Sequence, residues 1–136
     1  ETGSSVYEEN SDFSRVASPK TQKTLDSILA THSNPGSYTV IKLDTQGYEL
    51  EILKGFKRNI DKIDLIILEV SFVEYNKGAP SFYDVILFMK DLGFEILDLC
   101  DQNRNAGGIL MQADVMFVKI GSELRELVSE KWRSFC

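Results

Sequence analysis

A chain of 136 residues can bury one substantial core but not two independent ones, so a single domain is expected over residues 1–136. With 43% hydrophobic and 26% charged residues, the composition is that of a folded soluble protein and argues against disorder of the whole chain. A formal net charge of −6 repels phosphate backbones and anionic lipid surfaces, so neither nucleic acid nor a membrane is an expected partner.

Only two cysteines occur, Cys100 and Cys136, in no CxxC arrangement. That spacing argues against a zinc site or a disulfide framework and suits a reducing, cytoplasmic setting. The longest apolar stretch, Asp64 to Val73, is interrupted by Glu69 and is far shorter than a bilayer span. The first residues are polar and acidic, unlike a secretory leader.

Residues 1–23 mix polar and scattered apolar residues and read as loop, with one short extended piece near Ser14 to Ser18. Residues 24–119 carry the core. Thr24 is placed to cap a short helix containing Leu25, Ile28 and Leu29, which ends before Asn34-Pro35-Gly36. Tyr38 to Asp44 is rich in β-formers and reads as a strand. A helix follows, with an apolar stripe of Leu50, Ile52, Leu53 and Phe56, acids in its first turn and bases toward its end. Asp64 to Phe72 contains the run Leu65-Ile66-Ile67-Leu68, which predicts a strand covered on both faces, as in a parallel sheet between helices.

Beyond the turn at Lys77 to Pro80, Phe82, Val85, Ile86 and Met89 recur at helical spacing, and Gly93 closes that helix. Phe94 to Leu99 and Ile109 to Val118 read as antiparallel strands joined by the polar segment Asp101 to Gly108. Residues 120–136 read as a carboxyl-terminal helix whose Glu123, Glu126 and Glu130 form a solvated face, with Leu127, Trp132 and Phe135 packing on the body or on a partner. The order helix, strand, helix, strand, helix, strand, strand points to a doubly wound α/β sheet ending in an antiparallel pair.

The run from Ile41 to Gly55, IKLDTQGYELEILKG, resembles the "KIDxxGxExxxLKG" signature of FkbM-type methyltransferases. Thr24-Leu25-Asp26, Leu65 to Val70, and Gln112-Ala113-Asp114 with Phe117-Val118 resemble other segments of that family in the same order. The resemblance implies a Rossmann-like class I methyltransferase sheet that binds S-adenosylmethionine and methylates a hydroxyl of a sugar or small metabolite. The family's first strand and glycine-rich cofactor turn have no counterpart here, and no GxG occurs in the sequence. A sheet truncated at the amino terminus is therefore expected, with weak or no cofactor binding by this chain alone and no assignable cofactor-binding residue.

In an open α/β sheet, ligands sit outside the carboxyl ends of the strands, where Asp44, Glu69 to Ser71 and Asp98 to Asp101 would gather. Asp44 and Glu69 are the expected catalytic carboxylates, orienting or deprotonating an acceptor hydroxyl. For Asp44 the competing reading is a cap on the following helix; for Glu69 it is a buried, paired structural acid. Gln46, Tyr48 and Glu49 are the expected substrate-binding residues, against the plainer reading of a solvated helix start. Ser4, Ser5, Tyr7 and Asn10 resemble a site-facing segment of the family, but a flexible terminus is the simpler reading. His32 is expected at the surface, at a helix end. No metal is expected, since Asp44, Glu69 and Asp98 have no diagnostic ligand spacing.

Two functions are open: a methyltransferase domain, or a noncatalytic methyltransferase-like interaction module. If the Tyr38 to Asp44 strand lacks a neighbour, its open edge predicts a homodimer, a domain swap or a partner strand.

Overall fold

The computed structural model describes residues 6–8, 10, 18–31 and 40–134, without the side chain of Trp132. Ser4, Ser5, His32, the Asn34-Pro35-Gly36 turn, Tyr38 and Phe135 lie outside the described residues, as does the predicted extended piece except for Ser18, which is in neither helix nor strand.

Helix α1 (Leu25–Ala30) starts where expected, because the Thr24 hydroxyl accepts the free Ser27 N–H at 3.1 Å. Strand β1 (Val40–Leu43) leads through a tight turn into α2 (Glu49–Lys54), then a short 3-10 helix (Ile60–Lys62) and β2 (Leu65–Ser71). Asp26 of α1 accepts from the Arg58 N–H at 2.9 Å and the Asn59 amide at 2.8 Å, tying the first helix to the segment after the second. Helix α3 (Phe82–Asp91) has a capping box: the Ser81 hydroxyl accepts from the Asp84 N–H, and the Asp84 carboxylate accepts from the Ser81 N–H. Gly93, at a φ of 87°, ends it. Strands β3 (Phe94–Arg104) and β4 (Leu110–Lys119) and helix α4 (Glu123–Arg133) complete the chain.

The four strands form one mixed sheet in the order β1-β2-β4-β3. β1 runs parallel to β2, and β4 is antiparallel to both of its neighbours. The expected antiparallel pair is present, and its second strand lies between β2 and β3. That insertion sets Asp114, not Asp98, opposite Glu69.

Burial in β2 alternates, which corrects the expectation of a strand covered on both faces. Ile66, Leu68 and Val70 are fully buried with Leu53, Phe56, Met89 and Phe117, whereas Leu65, Ile67 and Glu69 on the other face are half-buried. Among the described residues, α1, α2 and α3 contribute to the core cluster on the first face. Helix α4 instead lies beside the β3–β4 ribbon, with Arg125 ion-paired to Glu95. Glu123, Glu126 and Glu130 are exposed on it, as the charge pattern indicates.

β3 runs to Arg104, five residues beyond its expected end at Leu99. The extension is exposed and polar, so it carries no hydrophobic period, and Asn105 closes the hairpin by accepting from the Gly107 and Ile109 N–H groups, each at 3.0 Å. Register shifts fall between Ile96 and Asp98, Cys100 and Gln102, and Asn103 and Arg104. They bend this arm and break the strict alternation of its side chains.

No helix among the described residues is long and apolar enough to cross a membrane.

Candidate active site

The site grows from the turn between β1 and α2. Gln46 has a φ of 55° and Gly47 a φ of 100°, so two successive residues hold left-handed backbone. A Cβ on Gly47 would lie 2.7 Å from the Ala79 Cβ, so glycine is needed here for space as well as for conformation.

Glu49 holds this turn from inside. It is 5% exposed, and one carboxylate oxygen accepts from the Thr45 N–H at 2.7 Å, the Thr45 hydroxyl at 3.0 Å and the Gly47 N–H at 3.3 Å. Glu49 is therefore not a solvated helix start. Asp44 does not cap the helix, since the N-cap position is Tyr48 and it receives no side-chain cap. The Glu49 side chain instead reaches back from the first turn of the helix to the Thr45 and Gly47 amides of the turn before it. Asp44 is exposed at the end of β1.

Asn76 holds the same turn from the neighbouring loop. Its buried side chain donates to the Gln46 carbonyl at 2.8 Å. The Gln46 amide then donates to Glu69 at 2.7 Å and, at 3.4 Å, to Asp44. From β4, the buried Gln112 amide donates to the same Glu69 oxygen at 2.9 Å. The structure thus joins Asp44, Gln46 and Glu69 in one hydrogen-bonded group.

Glu69 lies at the carboxyl end of β2, opposite Asp114, which is ion-paired to Lys42 on β1. Burial, reinforced by the negative charges of Asp44, Glu49 and Asp114, pushes the Glu69 carboxyl up to about 7, while Lys42 pulls it down. Lys42 itself is raised, chiefly by its hydrogen bond to Asp114. Beside Glu69 an open polar cleft of about 360 Å³ is lined by Asp101, Gln102, Asn103, Gln112 and Asp114. Of the acids from Asp98 to Asp101, only Asp101 reaches this cleft; Asp98 turns its carboxylate onto the Leu99 N–H at 2.7 Å.

Tyr48 faces elsewhere. Its ring meets Tyr7 at 6.1 Å between centroids, and its hydroxyl donates to Gln22 at 3.4 Å, beside a second hollow bounded by Thr24, Ile52 and Gly55. Tyr7 and Asn10 lie against the body of the domain. The Asn10 N–H donates to the Tyr75 carbonyl at 2.8 Å and its side chain to the Glu74 carbonyl at 2.9 Å, while the Lys77 N–H donates to the Glu8 carbonyl at 2.7 Å.

Sequence reasoning did not assign roles to Asn76, Gln112, Asp114 or Lys42. Gln112 and Asp114 sit in the Gln-Ala-Asp segment already singled out, where alternate positions on one strand share a face. Asn76 precedes Lys77-Gly78 and looks like any turn residue; no sequence signal marks it. Among the described residues, no group of three His, Cys, Asp or Glu side chains is placed to hold a metal ion.

A family model described as the methyltransferase FkbM domain matches residues 1–96, well over half of the chain. Neither a curated protein nor a solved structure matches it.

Proposed function

We propose, proceeding from the chain's membership of the methyltransferase FkbM domain family, that it serves methyl transfer from S-adenosylmethionine to a hydroxyl of a sugar or small metabolite. The sheet is read as Rossmann-like, of the class I methyltransferase kind; the parallel β1-β2 pair with its intervening helix, and the ligand-facing strand ends, support that reading.

Glu69 is the proposed base. The observation that carries this role is a half-buried carboxyl brought to about 7 and fixed by two glutamine amides beside an open polar cleft. Such a group is ionised to a useful extent near neutral pH and retains affinity for a proton. It would take the acceptor hydroxyl proton while the oxygen bonds to the methyl carbon, whose bond to the sulfonium sulfur breaks so that the cofactor leaves as the neutral thioether S-adenosylhomocysteine. Asp44 and Asp114 add negative charge around it, and the amides of Gln102, Asn103 and Gln112 offer donors and acceptors to a polyhydroxyl acceptor.

The carboxylates fit the cationic end of the cofactor, and Asp44 with Glu69 would face that charge. The group supplies an electrophilic methyl when bound. No GxG occurs in the sequence to cradle its remainder, and Gly47 in the β1–α2 turn is packed against Ala79. The free thiol of Cys100 accords with a cytoplasmic setting.

The test is transfer of isotopically labelled methyl from S-adenosylmethionine to a panel of sugar and small-metabolite hydroxyls by the full chain. Labelling by this chain alone is expected to be slow, in keeping with the missing cofactor turn, with a rate that rises through pH 7, and Glu69→Gln to lose at least about 100-fold of it. An active Glu69→Gln protein would remove Glu69 from the role of base.

A second reading, a noncatalytic interaction module, draws on one observation. Among the described residues β1 pairs only with β2, and Val40 on this edge is 54% exposed. A homodimer or a partner strand on this edge is then expected. Light scattering that finds a monomer at high concentration would count against it.

A further inference from the structure

We propose that Asn76 is a positioning residue for Glu69, acting through the backbone of Gln46. The inference deepens the reading of Glu69 as base and takes its functional meaning from it.

The geometry begins with an unfavourable conformation. Gln46 carries a Cβ yet holds a φ of 55°, a region that non-glycine residues seldom occupy. Asn76, 3% exposed, holds it by donating to its carbonyl at 2.8 Å. With the carbonyl held, the Gln46 side chain projects its amide onto Glu69 at 2.7 Å. Without that hold, the peptide can relax toward the right-handed region and carry the amide off the carboxylate.

Asn76 is itself fixed from both sides. Its loop is pinned by the Glu8 and Asn10 segment through the bonds from Lys77 N–H to Glu8 and from Asn10 to Glu74 and Tyr75. The Ala79 N–H donates back to the Asn76 carbonyl at 3.2 Å, and Ala79 is the residue against which Gly47 closes. The amino-terminal segment, the loop after β2 and the turn after β1 are thus joined at Asn76. A donor amide is needed there, since the target is a carbonyl oxygen.

Glu69 is faced by Asp44 and Lys42 from the β1 side, Glu49 from α2, Asp114 and Gln112 from β4 and Asp101 from β3. None of these touches Asn76 in a hydrogen bond, so substituting Asn76 leaves the charges around Glu69 in place. What changes is the amide that stabilises its ionised form.

The experiment is carbon NMR titration of the Glu69 side-chain carboxyl in the full chain, assigned by its loss in Glu69→Gln. Asn76→Ala is expected to raise the titration midpoint by about one pH unit, as loss of one hydrogen bond to a charged group implies. Gln46→Ala should raise it equally, and the double variant no further. An unmoved or lowered midpoint in a folded Asn76→Ala protein overturns the inference, as does full additivity of the two shifts. If Asn76→Ala does not fold, Asn76→Ser, too short to reach the carbonyl, is read in its place. Because the titration needs neither cofactor nor acceptor, a positive result with no methyl transfer would count against the proposed reaction and leave the positioning role standing.

Discussion

Neutralising Glu69 should make the protein more stable above pH 7 and leave it almost unchanged at pH 5. In the folded chain this carboxyl titrates near 7, against 4.5 for an ordinary glutamate. Its proton is therefore held more tightly folded than unfolded, so its stabilising contribution is complete below pH 4.5 and is lost as pH rises through 7. The full displacement corresponds to about 3 kcal/mol. Because Glu69 is half-buried beside an open cleft, solvent screening brings the expected effect to about 2 kcal/mol.

Glu69→Gln removes this loss while keeping the hydrogen bonds. Both glutamine amides donate to one oxygen of Glu69, so an amide side chain can offer its own carbonyl to them and place its NH2 among the negative charges of Asp44, Glu49 and Asp114. The assay is urea unfolding of both proteins at pH 5, 6, 7, 8 and 9 (chosen about the titration window), with the difference in stability plotted against pH. Contributions of other groups largely cancel in that difference. It should open by about 2 kcal/mol between pH 5 and 8 in favour of Glu69→Gln and then level off. A difference flat across that range, or one favouring the wild type at pH 8, would refute the account of the site.

Three further outcomes are expected. Asp114→Asn removes a like charge facing Glu69 and releases Lys42 from its ion pair, so the Glu69 midpoint should fall in the same NMR titration. Gly47→Ala places a Cβ 2.7 Å from that of Ala79 at a φ of 100° and should lower stability by about 2 to 3 kcal/mol in urea unfolding; Ala79→Gly in the same chain should recover the steric part alone. Ser81→Ala loses one half of the α3 capping box and should cost about 1 kcal/mol by thermal unfolding, with no change in the Glu69 midpoint.

The elements were legible where burial imposes a period. The α3 stripe of Phe82, Val85, Ile86 and Met89 is the face that meets the core, and Thr24 caps α1, because the local signal and the tertiary need coincide at both places. The polar half of β3 was not legible, since a ribbon exposed on both sides offers hydrogen bonding without hydrophobic alternation. Nor was the one-sided burial of β2: Leu65-Ile66-Ile67-Leu68 is apolar throughout, and such a run does not say whether its second face meets helix or solvent.

The site follows a different logic. Glu69 stood out because a carboxylate in an apolar strand must be paired or must shift its titration, and here it does both. Its neighbours come from β1, the β1–α2 turn, the loop after β2, and β4, and nothing local in the chain brings these together. Asp98 was the natural third acid when the last two strands were taken only as a pair. The insertion of β4 beside β2 replaces it with Asp114, a position that follows from strand order and not from spacing. Glu49 shows the converse: its place in the first turn of α2 suggested solvent, yet it is the acid that the left-handed Gln46-Gly47 turn needs inside. Local sequence can nominate an acid for chemistry, but strand order and the backbone demands of neighbouring turns decide which acid is available for it.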